Sequence, residues 1–144
     1  MKKDSSNLLL LDINVLIALS WPIHPFHSAA TRRMNRSRER WATCAITQLG
    51  FIRISSTASA NPSPKAPAEA AALLSIVTRD SLHVYLKSLA PPATAWMQRA
   101  HGANQVTDAY LLALAERHDA TFLTFDTKLK ALAGSRAKTE VLAA

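Results

Sequence analysis

Three aspartates lie beside apolar segments of this chain, where a carboxylate is expensive to keep. Asp12 directly follows the run Leu8–Leu11, Asp126 follows Thr121–Thr124, and Asp108 lies near the start of a long helical segment. A carboxylate in apolar surroundings is costly unless it is paired or holds a cation. Carboxylates that are brought together repel one another, and a bound cation relieves that repulsion. Because Mg²⁺ prefers oxygen ligands, the three acids predict a divalent-cation site.

Segments typical of strands alternate with segments typical of helices along the chain. The predicted strands are Asn7–Leu11, Trp41–Ile46, His83–Leu86, Thr121–Thr124 and Glu140–Leu142. The predicted helices are Asn14–Ser20, Phe26–Arg40, Gln48–Ile54, Pro67–Val77, a segment with Trp96 and Met97, Asn104–His118 and Thr127–Leu132. This alternation predicts an α/β fold with a parallel sheet covered on both faces. Since ligands bind at the carboxyl edge of such a sheet, we expect the acids to converge there.

Helix capping is the alternative interpretation of the same acids. Aspartate is a favoured N-cap residue, and each of the three precedes a predicted helix. Capping alone would be enough to explain Asp126, whereas Asn104 and Thr107 compete with Asp108 for that role. The apolar surroundings of Asp12 make capping a weaker explanation there. The prediction of a cation site therefore depends on the three acids together.

Length and composition favour one globular domain, which we expect to span residues 5–143 of the 144. The apolar fraction of 49% and the charged fraction of 19% exclude a disordered chain and a membrane-spanning one. The 17 lysines and arginines against 10 acids give a net charge of +7, which favours a polyanionic partner such as nucleic acid. Asp12 argues against a signal peptide, and the single Cys44 favours a reducing compartment. We therefore expect a cytoplasmic protein without a membrane partner.

Four sequence blocks resemble the PIN-domain ribonucleases, and within them the VapC toxins of bacterial type II toxin–antitoxin pairs. The blocks occur in the family's order, and they are Leu11–Leu19, Thr47–Arg53, Val106–Ala115 and Leu123–Asp126. The resemblance implies a PIN-like α/β/α sandwich with a central, mainly parallel sheet. It also implies a metal-dependent endoribonuclease that hydrolyses RNA phosphodiester bonds with a water activated by Mg²⁺ or Mn²⁺. In-line attack would leave a 5′-phosphate and a 3′-hydroxyl.

The resemblance also assigns roles to individual residues. Asp12, Asp108 and Asp126 match the metal-binding acids of the family, and Gln48 stands where the family usually has glutamate. An amide brings no negative charge, so weaker metal binding is expected. Two further residues, Asn14 and Thr47, are expected to hold the carboxylates or the metal's water, with helix capping as their alternative role.

The partners implied by the resemblance are structured RNA (tRNA or rRNA), a VapB-type antitoxin whose tail occupies the acidic groove, and a second copy of the chain. The sequence adds a basic run that is either a solvated helix face or a contact for the RNA backbone. Its arginines are Arg32, Arg33, Arg36, Arg38 and Arg40.

Other functions remain open at this point. A non-catalytic RNA-binding domain of the same fold is one, and Gln48 would mark its lost activity. A haloacid-dehalogenase-type phosphatase is disfavoured because Asn14 replaces the second acid that its chemistry needs. DNA cleavage by a related nuclease fold is a further alternative. A zinc site at His24 and His27 lacks further ligands, and Cys44 is expected in the core rather than as a nucleophile.

Overall fold

Five parallel strands form the central sheet in the computed structural model, which describes residues 8–87, 89–134 and 138–143. The strands are β1 (Leu8–Leu11), β2 (Arg40–Cys44), β3 (His83–Leu86), β4 (Thr121–Thr124) and β5 (Thr139–Val141), in the spatial order β3-β2-β1-β4-β5. All four pairings are parallel. Residues 5–7, at the start of the predicted domain and first strand, lie outside the described residues.

Helices cover both faces of the sheet. They are α1 (Ile13–Ser20), α2 (His27–Ser37), α3 (Ala45–Ser55), α4 (Pro67–Val77), α5 (Thr94–Met97), α6 (Val106–Arg117) and α7 (Lys128–Ala133). One face of β1 packs through Leu10 against α6 and α7, and the other packs through Leu9 and Leu11 against α1, α3 and α4. The predicted α/β/α sandwich is confirmed. None of the helices in these ranges has the length and apolar content needed to cross a membrane.

The structure moves several predicted boundaries, including the start of α3 from Gln48 to Ala45, and two of the shifts have a clear local cause. Helix α2 ends at Ser37, before the predicted end at Arg40, because Arg38 adopts a left-handed conformation with φ of 48°. Strand β2 stops at Cys44, before the predicted end at Ile46, because the Thr47 hydroxyl accepts a hydrogen bond from the Cys44 amide and starts α3. Both differences come from local capping geometry, which apolar periodicity does not encode.

Gly50 lies inside α3, where glycine normally weakens a helix. A Cβ atom at this position would come within 2.3 Å of Ile13 Cδ1. The glycine therefore permits close packing of α3 on the first turn of α1. That packing fixes Ile13, which is the residue directly after Asp12.

Candidate active site

The sheet has a topological switch point between β1 and β4, where the order in which strands are added reverses. From β1 the chain adds β2 and then β3 on one side, and it returns to place β4 and β5 on the other. Ligands of open α/β sheets bind at such a switch point, beyond the carboxyl ends of the strands. Asp12 follows β1 at this point, and Asp126 lies two residues beyond the end of β4.

The structure brings the three predicted acids to one cavity. This acidic cavity, about 370 Å³ in volume, is lined by Asp12, Asp108 and Asp126. Asp108 reaches it from the first turn of α6. Asn14, Trp21 and His24 line the cavity as well. The sheet edge thus assembles residues that are more than 100 positions apart in sequence.

Asp12 is the most deeply placed acid, with only 7% of its surface exposed. Its Oδ1 accepts a hydrogen bond of 2.7 Å from the Ile13 amide, and its Oδ2 accepts one of 2.6 Å from the Thr124 hydroxyl. Its own amide donates to the Leu123 carbonyl at 2.9 Å, which ties the end of β1 to β4. The carboxylate is therefore held in a fixed orientation.

Burial and repulsion between carboxylates raise the pKa values of Asp12 and Asp108. Burial, together with repulsion from Asp108 and Asp126, raises the pKa of Asp12 from 3.8 to about 6, against the lowering effect of its hydrogen bonds. Burial and repulsion from Asp126 also raise the pKa of Asp108. Among the described residues, no lysine, arginine or histidine forms an ion pair with any of the three acids. The cavity consequently concentrates negative charge that a cation would stabilise.

Thr124 organises the site, although its place in the sequence did not identify it as a functional residue. Besides donating to Asp12, its buried hydroxyl accepts hydrogen bonds from the Asp126 amide at 3.0 Å and from Asn14 Nδ2 at 3.4 Å. The Asn14 carbonyl oxygen in turn accepts from the Phe125 amide at 3.3 Å. The available signal was a hydroxyl residue at the end of an apolar strand, two positions before an acid.

Gln48 and Thr47 lie at the start of α3, and their side chains bond to residues other than the three acids. The Gln48 Nε2 donates to the Thr43 hydroxyl at 3.0 Å, and Gln48 does not line the acidic cavity. Thr43 also hydrogen-bonds His83 Nε2 at 2.7 Å. Thr47 is buried, and its hydroxyl bonds the backbone of Cys44, which is the capping role.

Capping and cavity formation coexist at two of the acids. Asp12 caps α1 through the Ile13 amide, and Asp126 Oδ1 accepts a hydrogen bond of 2.9 Å from the Lys128 amide. A carboxylate has about four lone-pair positions, so these bonds leave acceptor capacity toward the cavity. The two interpretations of the sequence are therefore compatible in the structure.

The arginine run divides into exposed and buried members. Arg32, Arg36, Arg38 and Arg40 are exposed. Arg33 is only 6% exposed, and its guanidinium forms ion pairs with Glu39 and Glu140. Because Arg33 is buried and its donors are used inside the protein, it is not available for the predicted contact with RNA backbone.

The donor chemistry of the cavity fits a hard divalent cation. No group of three histidine, cysteine, aspartate or glutamate side chains in the described ranges is arranged to hold a metal ion unaided. Mg²⁺ commonly binds through one or two carboxylates and completes its shell with water and phosphate oxygens. The alternative zinc site at His24 and His27 gains no further ligand among the described residues. Cys44 is buried in the core, as predicted.

Comparisons with known proteins agree with this arrangement. The PIN domain family model matches residues 9–135. Ribonuclease VapC44 of Mycobacterium tuberculosis is 43% identical over 124 residues, which cover 83% of this chain and 87% of that protein. Ribonuclease VapC39 of the same organism is 39% identical, with 83% and 89% covered, and Ribonuclease VapC38 is 35% identical over 133 residues, with 92% and 94% covered. In this chain the parallel α/β/α sandwich with acids at its switch point is thus a PIN domain. The chain belongs to the PIN-domain family, among the VapC ribonucleases.

Proposed function

We propose that this protein is a metal-dependent endoribonuclease that acts as the toxin of a toxin–antitoxin pair. The observation that carries the proposal is the acidic cavity, in which Asp12, Asp108 and Asp126 gather negative charge beside the Thr124 hydroxyl. The relatives named ribonucleases support the choice of substrate. One domain over residues 5–143 would contain the whole site.

In this proposal the three acids bind the metal, and neighbouring residues hold the Asp12 carboxylate in position. Mg²⁺ or Mn²⁺, when bound at the acids, supplies a water of lowered pKa and positive charge beside the scissile phosphate. Thr124 and the Ile13 amide fix the Asp12 carboxylate, so that its remaining acceptor positions face the cavity. Asn14 steadies Thr124 and the turn at Phe125. In-line hydrolysis in this setting leaves a 5′-phosphate and a 3′-hydroxyl.

Cleavage of total RNA tests the proposal. We expect discrete fragments in Mg²⁺ or Mn²⁺, none with chelator, and none with Asp108→Asn. The matched control is Asp119→Asn, because Asp119 is 74% exposed, lies before β4 at the opposite end of the sheet, and has a φ of 51° that asparagine tolerates. Equal cleavage by the Asp108→Asn and wild-type proteins would refute the assignment. Mapping the fragment ends would show whether the target is tRNA or rRNA.

A second candidate is a non-catalytic RNA-binding domain. It is favoured by Gln48, whose amide faces Thr43 in place of a further carboxylate at the cavity. RNA binding without cleavage at any metal concentration would support this candidate. The phosphatase alternative gains nothing from the structure, because Asn14 is engaged through its amide with Thr124 and Phe125. The last alternative is DNA cleavage, and adding DNA as a competitor in the cleavage assay tests it.

We also propose that the chain forms a homodimer through the face that carries Leu49 and Val106. These side chains are 63% and 47% exposed. Val106 lines a mainly apolar cavity of about 340 Å³ together with Ile46 and Met97, and Leu49 follows Ile46 by three residues on α3, which puts both on one side of that helix. Sedimentation should show a dimer that Leu49→Lys dissociates. Ile76→Lys is the control, because Ile76 is 58% exposed on α4 and its change should leave the dimer intact.

The remaining proposed partner is a VapB-type antitoxin. The acidic cavity would accept a basic side chain from its tail, and the apolar wall of Trp21 and Ile54 would pack against it. Adding such an antitoxin is expected to stop RNA cleavage. A cytoplasmic location is proposed with it, since an RNA substrate and the single Cys44 both favour that compartment.

A further inference from the structure

We propose that a second site, a basic cleft between α2 and the end of β5, binds the sugar-phosphate backbone of the RNA. The inference rests on the proposed function, because it places the same substrate beyond the acidic cavity. The cleft has a volume of about 640 Å³. Its lining includes Thr31, Arg32, Asn35 and Arg36 from α2, with Leu142 and Ala143 opposite.

A partly buried ion-pair network centred on Arg33 supports one wall of this basic cleft. Arg33 Nε and Nη2 donate to the two carboxylate oxygens of Glu140 at 2.7 and 2.9 Å, and Nη1 donates to Glu39 at 2.8 Å. The hydrogen bond from Arg33 holds the pKa of Glu140 below its usual range, so the pair stays charged. Bidentate pairs of this kind fix geometry as well as charge. Helix α2 is therefore held at a set position against β5.

The same network leaves positive charge on the surface of the basic cleft. Arg33 pairs with both Glu39 and Glu140, and the cleft's three arginines, Arg32, Arg33 and Arg36, exceed these two carboxylates by one positive charge. Arg36 is 66% exposed and approaches Glu140 only at 3.5 Å, and Arg32 forms no ion pair with any described residue. Arg32 and Arg36 are four residues apart on one helix, which puts their Cβ atoms about 5–6 Å from each other. Two neighbouring guanidinium groups with free donors suit successive phosphates.

Two hydrogen bonds at the ends of β4 and β5 link the lining of the basic cleft to the lining of the acidic cavity. The Leu142 amide donates to the Thr124 carbonyl at 2.8 Å, and the Thr124 hydroxyl holds Asp12. The rings of Phe26, which precedes α2, and Phe125, which follows β4, lie 4.9 Å apart between centroids. An RNA strand that leaves the acidic cavity over this sheet edge would reach the α2 arginines. Phosphate contacts there would hold the strand without reading its sequence.

Binding of a fluorescent oligouridine longer than about 16 nucleotides tests the basic cleft, in chelator and over a salt series. Each phosphate contact contributes about 0.7 to the slope of log affinity against log salt for single strands, so Arg32→Gln/Arg36→Gln should lower the slope by about 1.4. Arg32→Lys/Arg36→Lys should keep it. Arg79→Gln is the charge control, because Arg79 is exposed in the turn before β3, at the far edge of the sheet.

The outcomes separate the basic cleft from the nuclease activity. The double glutamine variant is expected to cleave a tetranucleotide at the wild-type rate while its KM for long RNA rises. The proposal would be overturned if the salt slope of the double glutamine variant were unchanged, or if Arg79→Gln lowered the slope equally. It would also be overturned if the wild-type protein bound RNA only in the presence of a protein partner. Because binding is measured in chelator, a wild-type protein that cleaves nothing would refute the nuclease and still report on the basic cleft.

Discussion

Replacing Asp12 by asparagine should stabilise the metal-free protein at neutral and higher pH, although it removes a proposed metal ligand. The acidic cavity raises the pKa of this carboxyl from 3.8 to about 6. The folded state therefore binds the proton more tightly than the unfolded state does. Stability must fall as pH rises from about 4 through 6, and the loss levels off above that range.

The size of the effect follows from the two pKa values. The difference between 3.8 and about 6 corresponds to roughly 3 kcal/mol of unfolding free energy once the group is ionised in both states. Asparagine keeps one acceptor and loses the other, so either Thr124 or the Ile13 amide gives up a hydrogen bond at a cost of about 1 kcal/mol. We expect Asp12→Asn to be more stable than wild type by about 2 kcal/mol at pH 8.

Urea unfolding in chelator, followed by tryptophan fluorescence, measures both proteins at pH 5 and pH 8. The stability gap in favour of the variant should widen by roughly 1.4 kcal/mol between these pH values. His24 and His83, whose pKa values are lowered by burial, make stability rise with pH up to about 6.5. That contribution is common to both proteins and cancels in the comparison.

Metal addition provides the matching control. Ligands that bind only the folded state raise its stability, so Mg²⁺ or Mn²⁺ should stabilise wild type and have little effect on Asp12→Asn. A variant that is less stable than wild type at pH 8 in chelator would refute the reasoning. A gap that does not depend on pH would refute it as well, because the raised pKa of Asp12 would then be wrong.

Three further substitutions test the surroundings of the site. Thr124→Val should reduce RNA cleavage by about 10–100-fold, because the orientation of the Asp12 carboxylate is lost; Thr124→Ser should restore it, and a fully active valine variant would contradict the positioning role. Glu140→Gln should lower the unfolding free energy by about 2 kcal/mol in urea titrations, since Arg33 loses one charge-assisted hydrogen bond while it keeps Glu39; a change below about 1 kcal/mol would show that the pair behaves as a surface contact. Gln48→Glu removes the amide donor to Thr43, which should cost about 1 kcal/mol of metal-free stability. Because the family usually has glutamate at this position, we expect the new carboxylate to turn from Thr43 toward the acids and to tighten Mg²⁺ binding in calorimetry. Unchanged Mg²⁺ affinity would show that this position is not a weakened ligand.

The sequence by itself determined the architecture and the principal acids. Apolar segments alternating between strand and helix character require a parallel sheet with two covered faces, and the structure has that sheet. Asp12 was identifiable because a lone acid after Leu8–Leu11 needs a reason to be there. The resemblance to the PIN-domain family is confirmed by the family match. The alternation of segments and the acid after an apolar run are local features, so the residue pattern of each segment is enough to predict them.

Only the tertiary structure decided which partner each polar side chain takes. Thr124 bonds Asp12 across 112 positions, and Arg33 pairs with Glu140 across 107. Gln48 hydrogen-bonds Thr43, which is only five positions away in sequence. Thr43 is itself held by a hydrogen bond to His83, and that contact exists only because β2 pairs with β3. The pattern of one segment predicts which face is apolar, but a polar group finds its partner only after the strands are ordered. Strand order is set by the packing of the whole sheet. The sequence therefore predicted the arginine run as one surface, whereas in the structure Arg33 is buried against Glu140 and the other four arginines are exposed.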